Sequence, residues 1–206
     1  MEKPLVILTG PTAVGKTALS IGLAKAIGGE IISADSMQVY RGMDIGSAKI
    51  RPDEMEGVPH HLIDVLDPED EFHVVLFQKL VKEAMETIYR NGHIPILTGG
   101  TGFYIQAVLY DIDFTENGED MSYRESLENL AEEKGAETLH EMLRKVDPVS
   151  AEEIHANNIK RVIRALEYFQ QTGEPISLHN QREREKKAAY NSAYFVLNAP
   201  RPLLYE

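Results

Sequence analysis

The segment GPTAVGKT at residues 10–17 constrains the fold of this chain more than any other, because it has the form G-x-x-x-x-G-K-T. An apolar run at 4–9 precedes it and predicts a buried strand, and a helical pattern begins at Lys16. Glycines let backbone N–H groups close around a phosphate, and a helix N-terminus adds a favourable dipole. The sequence therefore predicts a phosphate-binding loop whose contacts come from Gly10, Pro11, Thr12, Ala13, Val14, Gly15, Lys16 and Thr17.

Two side chains of this loop have separate predicted roles. Lys16 supplies a mobile positive charge for the phosphate groups, and the hydroxyl of Thr17 suits Mg²⁺. We therefore predict Mg²⁺ as the cofactor, with Thr17 as its protein ligand. The motif does not say which phosphate ester is bound: ATP is the default, and a pyrophosphate on another substrate would satisfy the same loop.

Strand and helix patterns alternate along the first 110 residues. The predicted strands are 4–9, 30–34, 61–66 and 94–98, and the predicted helices are 16–26, 72–91 and one starting at Phe103. In the first helix, Leu19, Leu23 and Ile27 form the apolar stripe. This alternation is typical of an α/β fold, a P-loop NTPase-like parallel sheet with helices on both faces.

The pattern changes after Tyr110, where the chain becomes rich in Glu and helical. Helices are predicted at 122–134, 136–145, 150–155 and 159–172, and strand character returns at 194–197. We predict three parts: residues 1–110 as the first part of the core, 111–190 as an α-helical insertion with a return helix, and 191–206 as the returning core strand. Because no helix follows to cover that strand, we expect the C-terminal part of the fold to be missing from this chain.

Charge and composition narrow the function classes. The chain has a net charge of −12. It contains no cysteine, and this excludes a disulfide scaffold, a thiolate metal site and a cysteine nucleophile. Most of the excess acid lies in 111–153, so a phosphate-binding surface elsewhere stays possible. The apolar run at the N-terminus is too short for a signal peptide, and no run reaches membrane-spanning length. We expect a cytoplasmic protein that does not contact membranes, and a monomer.

Three other groups of residues are candidates for chemistry. Asp35 follows the second strand at the edge where ligands bind in such sheets, and its carboxylate suits a general base, a magnesium shell or a helix cap. The run GGTG at 99–102 is either a second substrate contact or a tight turn. His60 and His61 are expected to point to opposite faces of a strand and to be structural rather than metal ligands.

Basic residues at the start of the predicted helix 159–172 are a further candidate. Arg161 and Arg164 are three positions apart and share one helix face, so two guanidinium groups could clamp a diphosphate or a nucleic-acid backbone. The alternative is a solvated face that is paired with Glu167. The charged run 182–187 is interpreted as a solvated helix.

Five blocks taken together resemble the tRNA dimethylallyltransferases, also called tRNA isopentenyltransferases. They are GPTAVGKT at 10–17, IISADSMQVYRGMDIG at 31–46, HHLIDVLDP at 60–68, GGTGFY at 99–104 and KRVIRALE at 160–167. The resemblance implies transfer of a dimethylallyl group from dimethylallyl diphosphate to N6 of A37 in tRNA, beside the anticodon. It assigns the phosphate-binding loop to the isoprenoid diphosphate instead of ATP.

The resemblance also implies roles for individual residues. Lys16 and Thr17 would hold the diphosphate and Mg²⁺, Asp35 would accept the proton from the adenine amine, and Thr101 would line the channel near the reacting centre. Arg161 would neutralise the leaving diphosphate. The implied tRNA contacts are Ser36, Met37, Gln38 and Arg124. Lys160 and Arg164 would lie near Arg161, on the tRNA side or the diphosphate side.

Two alternatives remain at this stage. A P-loop kinase for a small molecule or nucleotide would explain the loop, Asp35 and the arginine pair, and should recognise the adenine of ATP. A non-enzymatic nucleic-acid-binding module would bind tRNA and leave N6 unaltered. The kinase does not explain the remaining blocks, and the carboxylate of Asp35 beside the phosphate-binding loop argues against the module.

Overall fold

The structure is a computed structural model that describes residues 3–114 and 122–200. Residues 201–206, the end of the predicted returning segment, lie outside the described residues. The chain divides into two compact units. The sheet unit runs up to Ile112 and resumes at Lys187, and the helical unit is Asp113–Lys186.

The sheet unit is built on five parallel strands in the order β3-β2-β4-β1-β5. The strands and helices of this unit are β1 (Pro4–Thr9), α1 (Lys16–Ile27), β2 (Gly29–Ser33), β3 (His60–His61), α2 (Val74–Arg90), β4 (Ile94–Gly99), α3 (Gly102–Leu109) and β5 (Asn191–Val196). The predicted α/β class with a parallel sheet is therefore confirmed, and the carboxyl ends of β1, β2 and β4 meet at one edge.

Helix α1 buries a different face from the predicted stripe. Its buried residues are Ser20, Ile21 and Ala24, whereas Leu19 is 48% exposed. The predicted stripe of Leu19, Leu23 and Ile27 was therefore wrong in part. Ile21 and Ala24 pack against Ile31 and Ile96 of the sheet, which holds α1 over β2 and β4.

The third strand is much shorter than the predicted 61–66. Only His60 and His61 pair with β2, because Leu62 and Asp64 adopt positive φ values of 62° and 54° that turn the chain out of the sheet. The chain returns to strand geometry at Leu66, which forms an isolated bridge with Tyr40.

The helical unit contains α4 (Ser122–Lys134), α5 (Ala136–Val146), α6 (Pro148–Glu153), α7 (Ile159–Thr172) and α8 (Ile176–Glu185). Its core joins α4, α5 and α7 through side chains that include Leu127, Leu139, Leu143, Val162 and Leu166. Helix α8, which contains most of the charged run 182–187, has no buried residue, as expected for a solvated helix.

None of the helices in the described ranges 3–114 and 122–200 is both long enough and apolar enough to cross a membrane.

Candidate active site

A pocket of about 480 Å³ opens at the carboxyl edge of the sheet. It is lined by the phosphate-binding loop and the first turn of α1, by Asp35, Met37 and Gln38 after β2, by residues 46–48, and by the end of β4. Its volume lies in the range of small-ligand sites. The edge that was predicted to bind a ligand is therefore where the sheet unit has a cavity.

The loop between β1 and α1 has the left-handed backbone that its glycines permit. Gly15 precedes α1 with φ 87°, and Ala13 also has a positive φ of 67°. A Cβ on Gly10 would lie 2.4 Å from the carbonyl oxygen of Leu197, so only glycine fits there. Of the predicted loop contacts, Thr12, Ala13, Gly15, Lys16 and Thr17 line the pocket.

The ammonium group of Lys16 lies over the loop. Its Nζ donates hydrogen bonds to the carbonyl oxygens of Gly10, at 2.8 Å, and Pro11, at 2.6 Å. Burial lowers the pKa of Lys16, and the nearby negative charge of Asp35 partly offsets that effect. The pocket thus holds a partly desolvated cation, which is the charge that a diphosphate requires.

Asp35 stands at the end of β2 and is held by the backbone that follows it. Its Oδ1 accepts hydrogen bonds from the N–H groups of Met37 at 2.8 Å and Gln38 at 3.4 Å. This turn fixes the carboxylate at the pocket wall, where Oδ2 has no part in these two bonds. A carboxylate in this place is suited to accept a proton from a bound nucleophile.

Gln38 joins the end of β2 to the loop that forms one pocket wall. Its Oε1 accepts a hydrogen bond from Ser33 Oγ, and its Nε2 donates to the carbonyl oxygens of Ser47 and Ala48. Lys49, whose side chain is 5% exposed, fixes the same loop through ion pairs with Asp44 and Asp64. The predicted tRNA contact Gln38 therefore also has a structural role.

The glycine run after β4 packs against β2. A Cβ on Gly99 would lie 2.3 Å from the carbonyl oxygen of Ala34, which requires glycine and brings β4 close to Asp35. Thr101 caps α3, and its carbonyl oxygen accepts from Tyr104 and Ile105. Within the described part of the chain, Ser36 and Thr101 adjoin pocket-lining residues without lining the pocket themselves.

The two adjacent histidines point apart, as predicted. His60 lines the pocket and donates from Nδ1 to the carbonyl oxygen of Val58, and burial lowers its pKa. His61 instead contacts the buried carboxylate of Glu30, which also accepts from His93. Across residues 3–114 and 122–200, no group of three or more acidic or histidine side chains is arranged to hold a metal ion.

The predicted basic residues Arg124, Lys160, Arg161 and Arg164 all belong to the helical unit. Lys160 and Arg161 are exposed at the start of α7, whereas Arg164 is half-buried and its pKa is lowered by that burial.

Glu167 pairs with a residue that sequence reasoning did not couple to it. Arg124 of α4 donates from Nε to Glu167 Oε1 at 2.8 Å and from Nη2 to Oε2 at 2.6 Å. The Glu167 side chain is only 7% exposed, so this ion pair with two hydrogen bonds connects α4 and α7 inside the helical unit. Arg124 therefore has a structural role, and its contact with tRNA stays a prediction.

Sequence reasoning missed several pocket residues. Ser33 and Thr98 lie inside strands with apolar neighbours, and residues 46–48 lie in an irregular loop. The hydroxyl residues could have been found from their positions close to the carboxyl ends of two parallel strands, Ser33 as the last residue of β2 and Thr98 as the last but one of β4. The loop had no local signal, because its placement depends on Gln38 and Lys49.

The residues of the pocket fit a phosphate-bound Mg²⁺. Thr17 and Asp35 offer a hydroxyl and a carboxylate at the pocket wall, and Lys16 supplies the countercharge for phosphate oxygens. Mg²⁺ in such sites is held through one or two protein oxygens together with substrate phosphates and water, so a larger acidic cluster is not needed. The donor set is therefore compatible with the predicted ion.

Known proteins similar to this chain share one activity in their names. A model of the family "IPP transferase" matches residues 38–206. The tRNA dimethylallyltransferase of Lachnoclostridium phytofermentans is 65% identical over 204 residues, which are 99% of this chain and 65% of that protein. The tRNA dimethylallyltransferase of Bacillus cytotoxicus is 55% identical over 100% of this chain and 65% of its own length. The chain thus spans 65% of the length of these curated relatives.

A solved structure also covers the whole chain. The full-length tRNA isopentenylpyrophosphate transferase of Bacillus halodurans is 47% identical, with a TM-score of 0.64, over 100% of this chain and 63% of that one.

Proposed function

The chain belongs to the IPP transferase family, and from that premise we propose that it takes part in transferring a dimethylallyl group from dimethylallyl diphosphate to N6 of A37 in tRNA. The observation that carries the proposal is the shared pocket of the phosphate-binding loop and Asp35. The phosphate-binding loop suits an anionic leaving group, and Asp35 offers a base for the attacking amine. Both requirements of the reaction therefore have residues at one site.

Asp35 is the proposed general base. During transfer the N6 nitrogen forms a bond to the allylic carbon, the bond from that carbon to the diphosphate oxygen breaks, and N6 loses one proton. The hydrogen bonds from Met37 and Gln38 to Asp35 Oδ1 orient the carboxylate, so that its other oxygen can take that proton.

Lys16 and Thr17 are the proposed leaving-group residues. The negative charge on the diphosphate grows as the allylic bond breaks, and a partly desolvated ammonium group stabilises that charge more strongly than one in bulk water. Mg²⁺ bound with the diphosphate would neutralise further charge, with Thr17 as its protein ligand. Arg161 is the third residue that we propose to neutralise charge on the leaving diphosphate.

The tRNA is the proposed second substrate. Met37 and Gln38 line the pocket beside Asp35, so they are the proposed contacts for a base that leaves the anticodon-loop stack. Ser36, Thr101, Arg124, Lys160 and Arg164 are the further proposed contacts. Because tRNA is the proposed substrate, we propose a cytoplasmic location. We also propose a monomeric state.

A binding competition tests whether the pocket selects an isoprenoid diphosphate or a nucleotide. The full-length protein is titrated with dimethylallyl diphosphate and with ATP in the presence of Mg²⁺, and each is then used to displace the other. The proposal expects tighter binding of dimethylallyl diphosphate, and no preference for ATP over other nucleoside triphosphates. Preferential, adenine-dependent ATP binding would favour a kinase instead.

A further inference from the structure

Six hydroxyl side chains line the pocket, those of Thr12, Thr17, Ser20, Ser33, Ser47 and Thr98. Ser20 Oγ donates to the carbonyl oxygen of Thr17, Ser33 Oγ donates to Gln38 Oε1, and Ser47 Oγ donates to the carbonyl oxygen of Met43. Among the described residues, Thr98 Oγ1 is the one buried side-chain polar atom without a hydrogen-bond partner.

The position of Thr98 in the sheet directs its side chain toward α1. Alternate residues of a strand share a face, so Thr98 lies on the side of Ile96, which packs against Ile21 of α1. Thr98 is also the cross-strand partner of Ser33 in β2 and of Leu8 in β1. Its hydroxyl therefore lies between the strand that leads to Asp35 and the strand that leads to the phosphate-binding loop.

The backbone of Thr98 does not account for its hydroxyl. Its carbonyl oxygen accepts from the N–H of Ala34 at 2.7 Å, so that group is satisfied by the sheet. Leaving a buried hydroxyl without a partner is costly, and native structures seldom do so without a reason. A valine of the same shape would fill this position at no such cost, which points to a ligand as the partner of the hydroxyl.

We propose that Thr98 Oγ1 is a binding residue for the hydrated metal–diphosphate group held by the phosphate-binding loop. The inference rests on the proposed function for the diphosphate as ligand. A threonine hydroxyl has one hydrogen to donate and two lone pairs to accept. It can therefore donate to a phosphate oxygen or accept from a metal-bound water, and both are contacts with the same hydrated anion.

A matched pair of variants separates the hydroxyl from the shape of the side chain. Thr98→Val keeps the branched shape and removes the hydroxyl, whereas Thr98→Ser keeps the hydroxyl and removes the methyl group. Calorimetry measures the Kd of inorganic pyrophosphate for the full-length protein, with and without Mg²⁺. Thermal denaturation of the ligand-free proteins measures their stability in parallel.

We expect Thr98→Val to weaken pyrophosphate binding without lowering the Tm. Thr98→Val weakens pyrophosphate binding about tenfold, the effect of one hydrogen bond of ordinary strength, while its Tm equals or exceeds that of the unmutated protein. Thr98→Ser keeps an affinity within about twofold. A loss that requires Mg²⁺ identifies the partner as a metal-bound water, and a loss with and without Mg²⁺ identifies a phosphate oxygen.

Unchanged affinity in Thr98→Val overturns the proposal, and so does an equal loss in Thr98→Ser, since packing would then be the cause. If Thr98→Val does not fold, a crystal structure of the unmutated protein with Mg²⁺ and pyrophosphate decides: Oγ1 must lie within hydrogen-bond distance of the ligand or its water. Inorganic pyrophosphate has no isoprenoid group, so these results stand even if transfer to tRNA fails. Conversely, if Thr98→Val binds pyrophosphate with unchanged affinity, the proposed transfer reaction is not contradicted.

Discussion

The carboxylate of Asp35 and the ammonium group of Lys16 line the same pocket, one at the end of β2 and the other in the first turn of α1. Burial lowers the pKa of Lys16, and the attraction of Asp35 opposes that change. The proposed base for the amine and the proposed cation for the leaving group thus line one pocket.

Asp35→Asn should remove transfer and spare diphosphate binding. The amide oxygen can still accept from Met37 and Gln38, so the turn persists, but the amide cannot take a proton. We expect the transfer rate to fall by about 10²- to 10⁴-fold, the usual contribution of a general base. Pyrophosphate affinity should stay the same or rise slightly, because a negative charge is lost near an anion site. Near-normal transfer would remove Asp35 from the role of base.

Lys16→Met should weaken pyrophosphate binding by about 10- to 100-fold, since a charge-assisted hydrogen bond to the anion is lost. Lys25→Met is the matched control, because Lys25 lies on the same helix and pairs with Glu56 at the surface. The control should bind pyrophosphate with unchanged Kd. Equal effects of the two substitutions in calorimetry would mean that Lys16 acts only through the overall charge.

Arg124→Ala should destabilise the helical unit, because it leaves the buried Glu167 carboxylate without its partner. Since Arg124 is 30% exposed, we expect a loss of roughly 3 kcal/mol in the free energy of unfolding, at the low end for a broken buried pair. Replacing Glu167 with Gln in the same chain should restore part of this loss.

Arg182→Ala is the control for Arg124→Ala, because its ion pair with Glu174 is largely exposed. Denaturant unfolding should show a much smaller change for it. A loss of tRNA affinity in Arg124→Ala that Glu167→Gln does not reproduce would identify a direct RNA contact. Equal stability losses for the two arginine variants would show that the ion pair between Arg124 and Glu167 contributes little to stability.

Asp147 should give the helical unit a dependence on acid. Burial alone would raise the pKa of Asp147, but hydrogen bonds from Ser150 and Ser177 outweigh it, and the pKa is lowered. A lowered carboxyl pKa contributes stability above the pKa of the unfolded chain, and this stability is lost as the pH falls through the folded pKa.

Asp147→Ala should therefore lower the Tm at neutral pH and flatten the acid limb of the stability curve. We expect a loss of about 2 kcal/mol at neutral pH, because a helix cap and a buried acceptor disappear together. Asp113→Ala, at an exposed position of the same unit, is the control. Parallel curves for Asp147→Ala and the unmutated protein between neutral and acid pH would contradict this account.

The parts of the fold that depend on local signals were predictable from the sequence. Strand β1 and helix α7 have the predicted bounds, because β1 is a continuous apolar run, α7 is a periodic apolar segment, and glycine follows each. Strand β3 was not predictable, because the positive φ values of Leu62 and Asp64 interrupt an apolar run that looks continuous. The buried face of α1 also differed, since the sheet and not the helix decides which side is covered.

The candidate site shows the same division. The phosphate-binding loop and Asp35 could be identified because their signals are contiguous and follow strands directly. The loop at 46–48 could not, because Gln38 and the Lys49 ion pairs place it through contacts that are remote in sequence. The pairing of Glu167 with Arg124 was likewise hidden, since 43 positions separate the two residues.

Nucleoside analysis after incubation tests the central claim most directly. Full-length protein is incubated with dimethylallyl diphosphate, Mg²⁺ and unmodified tRNA, and the digested nucleosides are analysed by mass spectrometry beside the Asp35→Asn variant and a tRNA with G at position 37. The account predicts N6-(dimethylallyl)adenosine only with the unmutated protein and A37. Bound dimethylallyl diphosphate and bound tRNA without this product, or a product that persists with G at position 37, would contradict it.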